Sequence, residues 1–138
     1  MSGEYKEKLP NFNEGNLIVR SKSWYIQFYF SGPDLRYNGT FFRIEGSQVK
    51  SYISAYKNNW GTYLKLSEVA KATKGELTKS GELNMTIRAG NQWSNGVCIT
   101  SYHMPIKSRP DLDNIIKDLE WAEVRANEIM KLLQSIEL

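Results

Sequence analysis

The stretch RAGNQWSNGVCITSYHMPI, residues 88–106, gathers the chain's single Cys and single His with an Arg, a Trp and three amide side chains. A thiol and an imidazole are the parts of a nucleophile and its base. Their spacing argues against that pairing. Residues 97–104 alternate as a strand, and Cys98 and His103, five apart, then point to opposite faces. Ser101 and His103 share a face, but i and i+2 neighbours on one strand stand in parallel, about 7 Å apart, too far for a hydrogen bond. Cys98 therefore reads as a small buried hydrophobe, and His103, followed by Met-Pro, as structural. The tip of the stretch has a different chemistry. Trp93 sits in the middle of a long loop, where it either folds back onto the core or meets a partner. Arg88, Asn91, Gln92 and Asn95 surround it with donors and acceptors. Such a set can stack on a nucleobase and hydrogen-bond its edge.

The other titratable groups form no catalytic constellation. Carboxylates before the last helical segment are scattered, and no H-E-x-x-H, Walker loop or dinucleotide fingerprint occurs. Asp111, Asp113, Asp118, Glu120, Glu123 and Glu128 distribute around one helix, as on a solvated face. One Cys and one His leave no zinc set and no disulfide framework. These absences predict a protein that is not an enzyme and uses no cofactor or metal.

Net charge is +3, unevenly placed. Residues 50–88 carry seven Lys or Arg against three Glu, and residues 109–138 carry four against seven Asp or Glu. The basic middle suits a phosphate-bearing ligand. Lys50 and Lys57 stand beside Tyr52, Tyr56 and Trp60, again an aromatic-plus-basic set. Arg109 precedes the last helix, whose N-terminus favours anions.

These side chains need a scaffold, and the patterning supplies one. Residues 1–14 read as a flexible polar leader without a signal-type apolar core. NLIVRSKSWYIQFYF, residues 16–30, reads as strand from its period of two, and TFFRIEG, residues 40–46, as its return. YNGT, residues 37–40, predicts a type I′ turn between them. Val49, Ile53, Tyr56, Trp60 and Leu64 then recur at helical steps. Gly61 is expected to end or kink that helix, with a second short helix or a strand over 62–72. A polar connection over 73–82 leads to a strand, ELNMTIR, whose antiparallel partner is VCITSYHM. From Leu112 to Ile136 apolar residues keep helical spacing, with Ser108, Pro110 and Asp111 as the start signal.

The fold expected is α+β: one domain over 15–138, an antiparallel sheet of about five strands, with a central amphipathic helix and a long C-terminal helix packed on one face. The last helix is longer than so small a sheet needs, which predicts a homo-oligomer built through it. No apolar run approaches the roughly 20 residues of a membrane span, so a cytoplasmic protein is expected.

Two resemblances add to this. NNWGTYLKLSEV, residues 58–69, resembles the strand signature of the purine-rich-element-binding repeat, a single-stranded nucleic-acid module, although the residues before it have helical spacing. YISAYKNNW, residues 52–60, is similar to a helical segment of small prophage anti-CRISPR proteins that inhibit Cas9. Those inhibitors are shorter and strongly acidic, so their DNA mimicry does not carry over to a basic chain. The likeness implies a neighbourhood: compact, Tyr- and Asn-rich proteins without catalytic motifs that phages use for counter-defence and immune evasion.

Three functions follow as expectations. The first is a non-catalytic protein that sequesters a nucleotide or cyclic-nucleotide signal, with Arg88, Asn91, Gln92, Trp93 and Asn95 as the recognition loop and Lys50, Lys57 and Arg109 on phosphate. The second is a protein-directed inhibitor or adaptor whose aromatic tip enters a pocket of a host protein. The third is a nucleic-acid binder, against which the small net charge speaks.

Overall fold

The structure, a computed structural model, describes residues 3–12, 14–30, 40–90, 98–100 and 105–136. It is α+β, and the chain divides into two compact units: Met1–Val49 with Lys117–Leu138, and Lys50–Ile116. Instead of one sheet of about five strands, the described residues form two, of four and three strands.

The first unit holds β1 (Tyr5–Lys8), β2 (Gly15–Val19), β3 (Trp24–Phe30) and β4 (Thr40–Glu45), antiparallel neighbours in chain order. Residues 16–30, expected as one strand, are a hairpin. The polar RSKS run breaks the apolar alternation, and the Arg20 N–H donates to the Ser23 carbonyl at 2.8 Å to close the turn. β1 lies inside the segment expected as a leader. The β3–β4 register closes at Phe30↔Thr40, and the Asn-Gly turn lies outside the described residues.

Period-two patterning sorts this sheet into faces. Leu17, Ile26 and Ile44 stand in register across three strands and, with Val19 and Phe28, are fully buried. The packing is close enough to require glycine at two points. A Cβ on Gly15 would lie 2.5 Å from Leu9 Cδ1, and one on Gly46 would lie 2.6 Å from the Trp24 ring.

The second helix, α2 (Arg109–Ile136), begins as its sequence signal predicts: the Ser108 carbonyl accepts from Leu112, and Asp111 accepts from the Lys107 N–H at 3.0 Å. Three side chains from its later turns tie it to the four-stranded unit. Asp118, expected on a solvated face, is 2% exposed and accepts from the backbone N–H groups of Asn11 and Phe12 and from the Asn11 amide, at 2.8–3.1 Å. Burial pushes its carboxyl above the ordinary value despite those hydrogen bonds. Arg125 donates to Glu7 at 2.9 Å and to the Tyr5 hydroxyl at 3.2 Å, while that hydroxyl donates to Glu7 at 2.6 Å. The Gln134 amide donates to the Ser21 carbonyl at 2.7 Å. Val124, Leu132 and Ile136 of α2 remain exposed. Among the described residues, no helix is long and apolar enough to cross a membrane.

In the second unit, the first helix, α1 (Val49–Thr73), runs unbroken through Gly61. A glycine in a helix interior costs about 1 kcal/mol, a penalty that 25 residues of helix can absorb. The buried stripe keeps part of the expected one. Val49 and Tyr56 are fully buried and Ile53 and Trp60 half-buried, but Ala55, Asn59 and Ala70 join the stripe and Leu64 is exposed. Asn59 holds the stripe together from inside. Its carbonyl accepts from the Glu82 N–H at 2.9 Å, and its amide donates to the Glu82 carbonyl and the Met85 sulfur. This brace fixes a tight turn over Glu82–Asn84, where Leu83 and Asn84 take positive φ. The strands are β5 (Leu77–Ser80), β6 (Thr86–Ala89) and the two-residue β7 (Ile99–Thr100). β5 arises in the segment expected as a connection; its residues are mostly exposed, so no alternation marks it.

The two carboxylate ties of the first unit are separable by mutation. The Tyr5 hydroxyl and then Arg125 hold the Glu7 carboxyl below its ordinary value. Glu7 therefore stabilises the fold above the unfolded pKa of about 4.3, and that contribution is lost as pH falls through the lower folded value. Glu7→Gln is expected to cost less than about 1 kcal/mol near neutral pH, because the pair is partly exposed and screened. Urea titrations of the two proteins should converge below roughly pH 3. Asp118→Ala should cost more, about 1–3 kcal/mol, by stripping partners from several donors at once.

Candidate functional site

The last turns of α1, the turn into β5 and the end of β6 line a half-open cavity of about 640 Å³. That volume lies within the range of small-molecule sites. Tyr63, Ser67 and Ala70 enter from one stripe of α1, with Lys71 and Lys74 at its C-terminal end. Gly75 and Glu76 come from the following turn, and Gly90 closes the wall just after β6.

Local sequence explains why the backbone goes there. Thr73 turns its hydroxyl back to the Val69 carbonyl at 2.8 Å, ending the helix, and Lys74 takes the left-handed φ of 56° usual for the residue after a helix. That conformation favours glycine, so placing lysine there stores about 1 kcal/mol of strain. Gly90 has φ +131°, and a Cβ there would meet the Glu76 backbone at 3.0 Å and the Gly75 carbonyl at 3.1 Å. The two chain segments approach so closely only because position 90 has no side chain.

The polar groups of the cavity are hydrogen-bonding and cationic. The Tyr63 hydroxyl hydrogen-bonds with the Cys98 thiol and with Ser67. Contact with Cys98, followed by burial, raises the phenol above its ordinary value, so at neutral pH it acts as a neutral hydrogen-bonding group. Cys98 is buried, and its thiol donates to the Lys107 carbonyl at 3.5 Å. The Tyr63 ring packs on Trp60 at 4.9 Å, which limits its motion. Lys71 is paired with Glu68 at 3.9 Å, but both side chains are largely exposed. An ion pair of that kind contributes little, and Lys71 can leave it for a ligand at small cost. Among the described residues, no group of three His, Cys, Asp or Glu could hold a metal ion.

The residues expected from sequence are only partly gathered here. Arg88 lies on β6, half-buried, its N–H donating to the Cys98 carbonyl at 2.8 Å, two residues before Gly90. Asn91, Gln92, Trp93 and Asn95, like His103, lie outside the described residues. Lys50 borders a different, open concavity with Ser51, Ser54, Glu82 and Leu83. Lys57 is exposed on α1 outside the cavity lining. Arg109 is paired with Asp113 at 3.0 Å. Tyr63, Ser67, Lys71, Lys74 and Glu76 were missed because the helix was expected to stop near Gly61. The KATKGE run, with its two lysines before a glycine, was the available signal.

No family model, curated protein or solved structure matches this chain.

Gly90→Ala tests the closure of the cavity. The new methyl meets backbone at a φ unfavourable to alanine, so a loss of about 1–3 kcal/mol is expected. Loosening should appear in hydrogen exchange at Gly75 and Glu76, with the four-stranded unit unaffected.

Proposed function

We propose that the chain is a non-catalytic binding protein that sequesters a phosphate-bearing small ligand, of nucleotide or cyclic-nucleotide type, in the cavity bordered by Gly90. The observation that carries this is the cavity itself, whose lining brings Lys71 and Lys74 together with Tyr63 and Ser67. Lysine ammonium groups suit phosphate as mobile point charges. The Tyr63 ring offers a surface for a base, and Glu76 can accept from a ribose hydroxyl or an exocyclic amine. Arg88, Asn91, Gln92, Trp93 and Asn95 belong to the same proposal as base-contacting residues, on the strength of their side-chain chemistry.

The likeness of residues 52–60 to a helical segment of prophage inhibitors is what supports reading this role as phage counter-defence, exercised inside an infected bacterial cell. Assembly through α2 belongs to the same proposal. Val124, Leu132 and Ile136 fall on one face at multiples of four residues and are 62%, 62% and 72% exposed. A second copy would cover them.

Thermal-shift measurements on the purified protein, with nucleotides, cyclic nucleotides, cyclic dinucleotides and inorganic phosphate, test the ligand. A ligand at a hundred times its Kd should stabilise by about 2.7 kcal/mol. That shift should disappear in Lys71→Glu/Lys74→Glu, and phosphate alone should give less. No shift across the panel, or an undiminished shift in the double variant, would overturn the proposal.

A further inference from the structure

The four-stranded sheet has a second face with its own chemistry. Opposite the apolar face, the register aligns Lys8↔Asn16↔Gln27↔Arg43 straight across all four strands. The adjacent row is Lys6↔Ile18↔Tyr25↔Glu45. At the centre, the Arg43 guanidinium lies 3.7 Å from the Tyr25 ring centroid, and Arg20 approaches the same ring at 5.8 Å. Tyr25 is 7% exposed, so Arg43 itself is the outward aromatic-like surface.

A guanidinium this close over a tyrosine ring keeps its outer side for a planar partner, and a nucleobase is such a partner. Asn16 and Gln27, half-buried beside it, each offer a donor and an acceptor to a base edge. Phosphate has cations along the β1–β2 side of the face: Lys6 and Lys8 are exposed on β1, and Arg20 follows β2. Two acids share the face, Glu4 with Arg20 at 3.0 Å and Glu45 with Arg43 at 2.8 Å. All four of those side chains are about half exposed, so the pairs are weak and phosphate can replace them. Four strands span about 14 Å, room for two or three nucleotides.

We infer that this polar sheet face binds single-stranded nucleic acid, stacking a base on Arg43 over Tyr25, reading its edge with Asn16 and Gln27, and holding phosphates with Lys6, Lys8 and Arg20. The site is separate from the cavity of the second unit and does not depend on it. The small net charge limits it to a short segment.

Fluorescence anisotropy of the full chain with a labelled single-stranded oligonucleotide of mixed sequence tests this at low and at moderate salt. Binding is expected at low salt, with a log–log salt slope near −2 for roughly three phosphate contacts. Lys8→Glu and Arg43→Ala should each weaken it about tenfold or more. Arg43→Lys should keep the salt slope yet lose affinity, because ammonium does not stack. Lys71→Glu/Lys74→Glu should leave it unchanged. Absence of binding at low salt, or unaltered affinity in the sheet variants, would overturn the inference. So would equal affinity for duplex DNA or heparin, which marks a general polyanion surface, or a loss confined to the cavity variant.

Discussion

A buried carboxylate, with no cation against it among the described residues, organises the first unit. Asp118 is held by three N–H groups of Asn11 and Phe12, more than a hundred positions earlier in the chain. Withdrawing a charge from water costs several kcal/mol, and charge-assisted hydrogen bonds return about 1.5–3 kcal/mol each. The balance leaves the carboxyl above its ordinary value, so desolvation is the larger effect. What the arrangement secures is register. Only one rotation of α2 points residue 118 at the turn between β1 and β2, and that rotation also turns Ala122, Ala126 and Ile129 inward. Arg125 and Gln134 repeat the tie further along, so the helix cannot slide by a turn without losing three contacts.

Glu7 and Asp118 belong to the same unit but respond to protons in opposite senses. Glu7 is partly exposed and gains charged and hydroxyl donors, so its folded value falls. Asp118 gains only neutral donors and loses solvent, so its value rises. A raised carboxyl favours the protonated form in the fold, and its contribution declines as pH rises from the unfolded value through the folded one. Two carboxylates of one unit thus respond in opposite senses across the acid range, and the balance between hydrogen bonding and desolvation decides which way each one goes.

The sequence was readable where side-chain type and location agree. The C-terminal helix, the alternation of Leu17, Ile26, Phe28 and Ile44, and the strand at Ile87 all place apolar groups inside. It misled where a polar residue occupies a core position. Asn59 interrupts the true stripe of α1, so the apolar pattern jumps to Trp60 and Leu64 and appears to fail at Gly61. Asp118 disappears among the other acids of α2 for the same reason. β1 and β5 were invisible because edge strands keep polar side chains on most positions. The candidate site suffered in proportion. Its cavity residues lie beyond the expected end of the first helix, while Lys50, Lys57 and Arg109 were grouped by charge along the chain, a weak guide to proximity in space.

The two surfaces with binding chemistry differ in the feature that sets specificity. In the cavity, Lys74 in a left-handed conformation and Gly90 against the Glu76 backbone fix walls that cannot spread without strain, so shape excludes ligands before charge acts. On the sheet face nothing encloses a ligand, and discrimination must come from stacking and edge hydrogen bonds alone. Lys71 and Lys74 line the cavity yet are themselves exposed, so solvent and salt screen them as they screen the cations of the sheet. For a chain of net charge +3, charge therefore does not separate the two surfaces; what differs is a shaped wall on one and a stacking guanidinium on the other.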